Sequence, residues 1–145
     1  MDFTRPSIDF AVLADAAQAV GGKLHLLGGG WDTLRVQRVP VQHHTLSIGM
    51  RVRIPWTFAG EELELAVEFQ DEDGHPVFER GPVRHKFKVN RPSGIPEGAD
   101  IGMVRALTFN NLRIPDYGGY SFVISIDGEE LDRARFRVIP AITPA

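Results

Sequence analysis

Apolar and polar positions alternate with a period of two along most of the chain, most cleanly near its C-terminal end. Tyr120, Phe122, Ile124 and Ile126 fall on one side of an extended segment and Ser121 and Ser125 on the other, because successive side chains of a strand point to opposite faces. Asp127-Gly128 supplies a tight turn, since glycine takes a positive φ at no steric cost and Asp tolerates it. The return segment carries Ala134, Phe136 and Val138 on one face and Arg133, Arg135 and Arg137 on the other. The spacing predicts a β-hairpin within 116–138.

The same period recurs upstream. Residues 7–14 read as a strand with Ile8, Phe10 and Val12 opposed by Ala11 and Leu13, so both faces are expected to be covered. Residues 15–20 have helix-forming composition but too little length for a stable helix, and Gly21-Gly22 follows, so a loop or a single helical turn is expected there. Residues 23–27 form a second strand, broken by Gly28-Gly29-Gly30 as at a bulge or sharp bend, and 31–36 resume extended structure. Over 45–54, Leu46, Ile48, Met50, Val52 and Ile54 alternate with Ser47, Gly49, Arg51 and Arg53 until Pro55 stops the ladder. Residues 62–70 alternate equally well and end in the turn Asp71-Glu72-Asp73-Gly74. A short piece at 76–79, a strand at 83–89, an irregular loop at 90–100 and a strand at 101–110 complete the pattern, and the tail 139–145 is expected to be loose. About eight or nine short strands without any long helical period predict an all-β fold, an antiparallel immunoglobulin-like β-sandwich, as one domain over 1–145.

Composition narrows the function classes. The chain has no cysteine, which removes disulfides and thiolate catalysis and suits a reducing compartment. Its first residues show neither a basic nor an apolar leader, and no apolar run approaches the ~20 residues that span a bilayer, so a cytoplasmic protein without membrane contact is expected. Sixteen basic against nineteen acidic residues give a formal charge of −3, which offers nucleic acid no global attraction.

Asp116-x-Gly118-x-Tyr120-x-Phe122 resembles the Asp-x-Gly-x-Tyr-x-Cys signature of immunoglobulin-like sandwiches, with Phe122 standing where the disulfide cysteine would sit. The resemblance implies a corner tyrosine whose hydroxyl bonds nearby backbone. It implies an architecture and no activity. The whole chain is also similar to a family of small uncharacterised actinobacterial proteins. The residues that carry this are 10–17, Gly22-Lys23-Leu24, Gly28-Gly29-Gly30-Trp31-Asp32, Ile54-Pro55-Trp56-Thr57 and Arg91-Pro92. That likeness implies no reaction, ligand or functional residue.

Candidate chemistry is sparse. Gly28–Gly30 lacks the helix and the Gly-Lys-Ser/Thr of a phosphate loop. Of the five histidines only His43 and His44 are close, and neighbours on an extended chain point apart, so no metal is expected. Asp71-x-Asp73-Gly74 lacks the further ligands of a calcium loop and reads as a solvated turn; were a cation bound, Asp71, Asp73, Asp100 and Asp116 would be the group to hold it. Ser93 has no base partner in sequence, so neither enzyme activity nor a cofactor is expected.

Two groups stand out for binding. Trp31 and Trp56 beside glycine and proline can stack on a sugar or a partner side chain, or else close the ends of the core. Arg133, Arg135 and Arg137 form a row that either protects a sheet edge or meets an acidic partner, whether a second copy or another protein. If strands 131–138, 120–127, 45–54 and 61–70 lie side by side, a serine- and glycine-lined trough separates the row from Glu64 and Glu68, which pair with Arg51 and Arg53. The sequence thus points to a non-catalytic interaction or structural module, able to self-associate, with a ligand- or carbohydrate-binding domain built on Trp31 and Trp56 as the rival.

Overall fold

The computed structural model describes residues 4–142 and forms two facing β-sheets. Its strands are β1 (Ser7–Val20), β2 (Lys23–Gly29), β3 (Thr33–Val36), β4 (Val41–Ile54), β5 (Leu63–Asp71), β6 (Val83–Phe87), β7 (Ile101–Ile114), β8 (Gly118–Ile126) and β9 (Glu129–Pro140). One sheet has the order β2-β1-β4-β7 and the other β3-β9-β8-β5-β6. All pairings are antiparallel except β3 with β9, which is parallel. The expected all-β sandwich is present, although β1, β4 and β7 each run to 14 residues.

The alternation decides what is buried. Leu46, Ile48, Met50, Val52 and Ile54 of β4 are fully buried and meet Leu65, Val67, Phe69, Phe122, Ile124 and Val138 from the opposite sheet. Their polar alternates point away from this core. The start of β8 turns a corner around Tyr120, whose hydroxyl donates to the Asp116 carbonyl at 2.7 Å and accepts from the Asp116 N–H at 3.2 Å. Burial raises the pKa of this phenol above its ordinary value, and the implied tyrosine corner is realised.

Three expectations are corrected. Residues 15–20 are neither loop nor helix but the second half of β1, which pairs with β2 from Ala14↔Gly29 to Val20↔Lys23. Gly21 and Gly22, both at positive φ, form the two-residue turn that suits a hairpin; two glycines at the tip outweighed the helical leaning of the alanines. Residues 139 and 140 belong to β9, and Ala141 N–H bonds Val36 carbonyl at 2.8 Å, so this part of the tail is pinned; 143–145 lie outside the described residues. Finally, β4 is not in the sheet of β8 and β9. It pairs with β1 and β7, and β5 lies directly beside β8. Alternation shows which residues share a face, not which strands are neighbours.

The misplaced β4 also explains its small residues. Ser47 is fully buried, with its hydroxyl 2.8 Å from that of Thr108, although it faces away from the core. Leu24 and Leu26 of β2 lie over Gly49, where an added Cβ would come 2.6 Å from Leu26 Cδ2 and 3.0 Å from Leu24 Cδ2. The β1–β2 hairpin is therefore packed over the outer side of its own sheet, and glycine leaves the space for it. Gly49→Val is expected to lift the hairpin and cost about 1–3 kcal/mol, as overpacking does. Denaturant unfolding checks this; wild-type stability would contradict it.

Candidate functional site

The outward side of the five-stranded sheet is built in rungs. Across β5, β8 and β9, Glu68 lies beside Val123 and Arg133, and Gln70 beside Ser121 and Arg135, while Gly119 lies beside Arg137. Small side chains on β8 leave a floor between taller neighbours. The result is an open groove of about 590 Å3 lined on one side by Arg133, Arg135 and Arg137, with Asp32 beside Arg137, and on the other by Gln70 and the turn 71–74, with Gly119 and Ser121 between. The arginine row was legible from alternation alone. The acidic wall was not, because its position depends on β5 lying next to β8.

Each wall has its own local cause. A register shift between Ile124 and Ser125 lets Glu130 reach Arg133 of its own strand, with contacts of 2.7 and 3.0 Å to the two guanidinium nitrogens. These hydrogen bonds lower the Glu130 pKa and raise that of Arg133. Arg133 thus has a carboxylate partner on its own strand. Arg135 and Arg137 form no ion pair among the described residues, and β3 covers the side of β9 only from Arg137 onward. Opposite, Asp71 Oδ1 accepts the N–H groups of Asp73 and His75, both at 2.9 Å, which holds its pKa low and fixes the turn. Glu72 reaches back over Gly118 and Gly119 and accepts the Gly119 N–H at 3.4 Å.

The remaining sequence candidates are placed elsewhere. Trp31 is half-buried, packs edge-on to Phe136 with ring centres 6.0 Å apart and leaves its indole N–H buried without a partner, so it closes one end of the core. Trp56 begins a single 3-10 turn, Trp56–Phe58, and its ring is covered by the Arg91 guanidinium 4.0 Å from the centre. Arg91 also donates to the Trp56 carbonyl at 3.1 Å. Two stretches far apart in sequence thereby meet, and the guanidinium lies over the Trp56 ring.

Arg51 and Arg53 do not reach Glu64 and Glu68. A bulge in β1 between Ile8 and Phe10 turns Asp9 toward them, and it pairs with both; Arg53 also meets Asp100 at 3.2 Å. Burial raises the Asp9 pKa, but the hydrogen bonds from Arg53 and Arg51 outweigh it and hold the carboxyl below its ordinary value. Glu64 is taken by Arg84 at 2.8 Å. Of the four aspartates named as a cation group, Asp100 pairs with Arg53, Asp116 gives its backbone N–H and carbonyl to the tyrosine corner, and Asp71 and Asp73 lie together beside exposed His75.

A family model described as "Family of unknown function (DUF6941)" matches residues 9–139. No curated protein matches the chain. Among solved structures, Pseudomonas fluorescens alkylpurine DNA glycosylase AlkC, bound to DNA containing an abasic site analog, superposes with a TM-score of 0.41 at 11% identity. That alignment covers 95% of this chain and 31% of the other. So weak a likeness carries nothing about activity.

The Arg91–Trp56 contact yields a direct expectation. Arg91→Ala should raise quenching of one of the chain's two tryptophans and cost about 0.5–1 kcal/mol, as loss of an exposed cation–π contact does. Quenching by acrylamide reads this, and an unchanged profile would show that the guanidinium does not shield the ring.

Proposed function

Because the chain belongs to that family of unknown function, we propose its role from its surface: a non-catalytic interaction module that presents the outer face of the five-stranded sheet to a protein partner. The observation that carries the reading is the groove with a cationic wall on β9 and an acidic wall at the β5 turn. Arg5, Arg51, Arg53, Arg84 and Arg133 sit in ion pairs, whereas Arg135 and Arg137 line this groove without one among the described residues. Charges of this kind act chiefly through steering and partner choice.

The finer architecture is read as immunoglobulin-like, supported by the tyrosine corner at the start of β8. A cytoplasmic setting suits a chain without cysteine, and an actinobacterial origin rests on the glycine-tryptophan and proline-tryptophan stretches. Binding of a sugar through Trp31 or Trp56 finds less support, since one ring is packed against Phe136 and the other is covered by Arg91.

A photo-crosslinking side chain placed at Ser121 tests the reading in the source organism, with exposed Thr57 as the control position. A discrete adduct from position 121 that weakens with Arg135→Glu and is missing from position 57 is expected. No adduct at 121, or one indifferent to Arg135→Glu, would overturn the role given to this face.

A further inference from the structure

Opposite charge on the two walls of one groove is an unusual demand on a foreign partner but is met automatically by a second copy. A two-fold axis in the plane of contact, running along β8, carries every point on the β9 side to the β5 side and leaves each rung facing itself. Under that operation Arg137 faces Glu72 of the other copy. Arg135 faces Gln70, with Glu68 and Glu72 two residues to either side, a diagonal that a long side chain spans. Ser121 and Gly119 meet their own counterparts, and such small residues let the two floors approach. Each charged contact occurs twice, as an isologous interface requires.

From this geometry we propose that the partner of the groove is another copy of this chain, docked face to face as a symmetric dimer through Arg135 and Arg137 against Glu68 and Glu72. The proposal rests on the reading of this face as an interaction surface and adds the identity of the partner. It is favoured over a purely acidic or purely basic partner because such a partner would satisfy one wall and confront the other with like charge.

A charge exchange tests it. Arg135→Glu with Arg137→Glu puts carboxylates on both sides of the proposed contact, and Glu68→Arg with Glu72→Arg puts guanidinium groups on both, so neither doubly substituted chain complements itself at these positions. Mixed together, they restore opposite charge at both halves of the interface. Analytical ultracentrifugation should show the wild type as a dimer, each variant weakened by about tenfold or more in dissociation constant, and the equimolar mixture as a heterodimer. Circular dichroism melts of each variant confirm that it folds. As a measurement without substitution, the wild-type dissociation constant should rise with salt.

A wild type that stays monomeric to its solubility limit overturns the proposal. A wild-type dimer that the substitutions leave intact, that the mixture fails to rebuild, or that salt does not weaken overturns it too. The broader reading survives a monomeric wild type if the adduct at position 121 has a mass other than twice the chain and weakens with Arg135→Glu, and falls if no adduct forms there or if that substitution leaves it unchanged.

Discussion

The structure turns on the ring of Phe69. It sits fully buried in β5, and its ring centre lies 4.6 Å from that of Phe122, 5.2 Å from Tyr120, 5.6 Å from Phe78 and 6.0 Å from Phe136. Phe122 in turn stacks on Phe109 of the opposite sheet at 5.1 Å. One aromatic stack thus holds β5, β8 and β9 in a common register and ties them to β7 across the sandwich. Aromatic pairs contribute about 0.5–1.5 kcal/mol each beyond the area they bury, and here the pairs also fix geometry. Because Phe69 is locked opposite Phe122, its neighbours Glu68 and Gln70 must emerge on the outer side opposite Val123 and Ser121.

The outer face is therefore a consequence of the inner one. A strand side chain cannot be moved to the other face without a register slip, and a slip would expose Phe69 and Phe122 together. Core packing and surface charge are in this way coupled through the pleat, and the spacing of the arginine row is inherited from Ala134, Phe136 and Val138 beneath it. The opposite sheet uses its outer side differently. There Leu24 and Leu26 of the β1–β2 hairpin cover Gly49, and Asp9 neutralises Arg51 and Arg53. On the five-stranded sheet Arg84 and Arg133 have carboxylate partners, while Arg135 and Arg137 form no ion pair among the described residues.

Alternation made the strands from β4 to β9 readable, along with the side each residue takes, because a period of two is local information. The tyrosine corner was readable for the same reason: its residues are four apart. Sheet order was not, since pairing of β5 with β8 joins residues from 49 (Asp71↔Tyr120) to 61 (Leu65↔Ile126) positions apart, and several orders satisfy the same alternation. The acidic wall of the groove is hidden for that reason, although Asp71 and Asp73 are legible as a solvated turn. Residues 15–20 are not legible as strand because alanine carries little pairing information, and the Gly21-Gly22 turn that decides the matter equally suits the end of a helix. Trp56 and Arg91 were noted separately, and only the fold shows that the guanidinium covers the ring.

The face-to-face dimer requires two floors to come together, and distance reports this without relying on charge. The chain has no cysteine, so Ser121→Cys carries the sole attachment point for a nitroxide label. Stacked sheets pack about 10 Å apart, so pulsed electron-spin measurements should find labels on two copies within roughly 25 Å of each other, once the reach of the two label arms is added to that spacing. Labels that show no intermolecular distance at the same protein concentration would contradict the face-to-face arrangement and return Arg135 and Arg137 to the role of solvated charges.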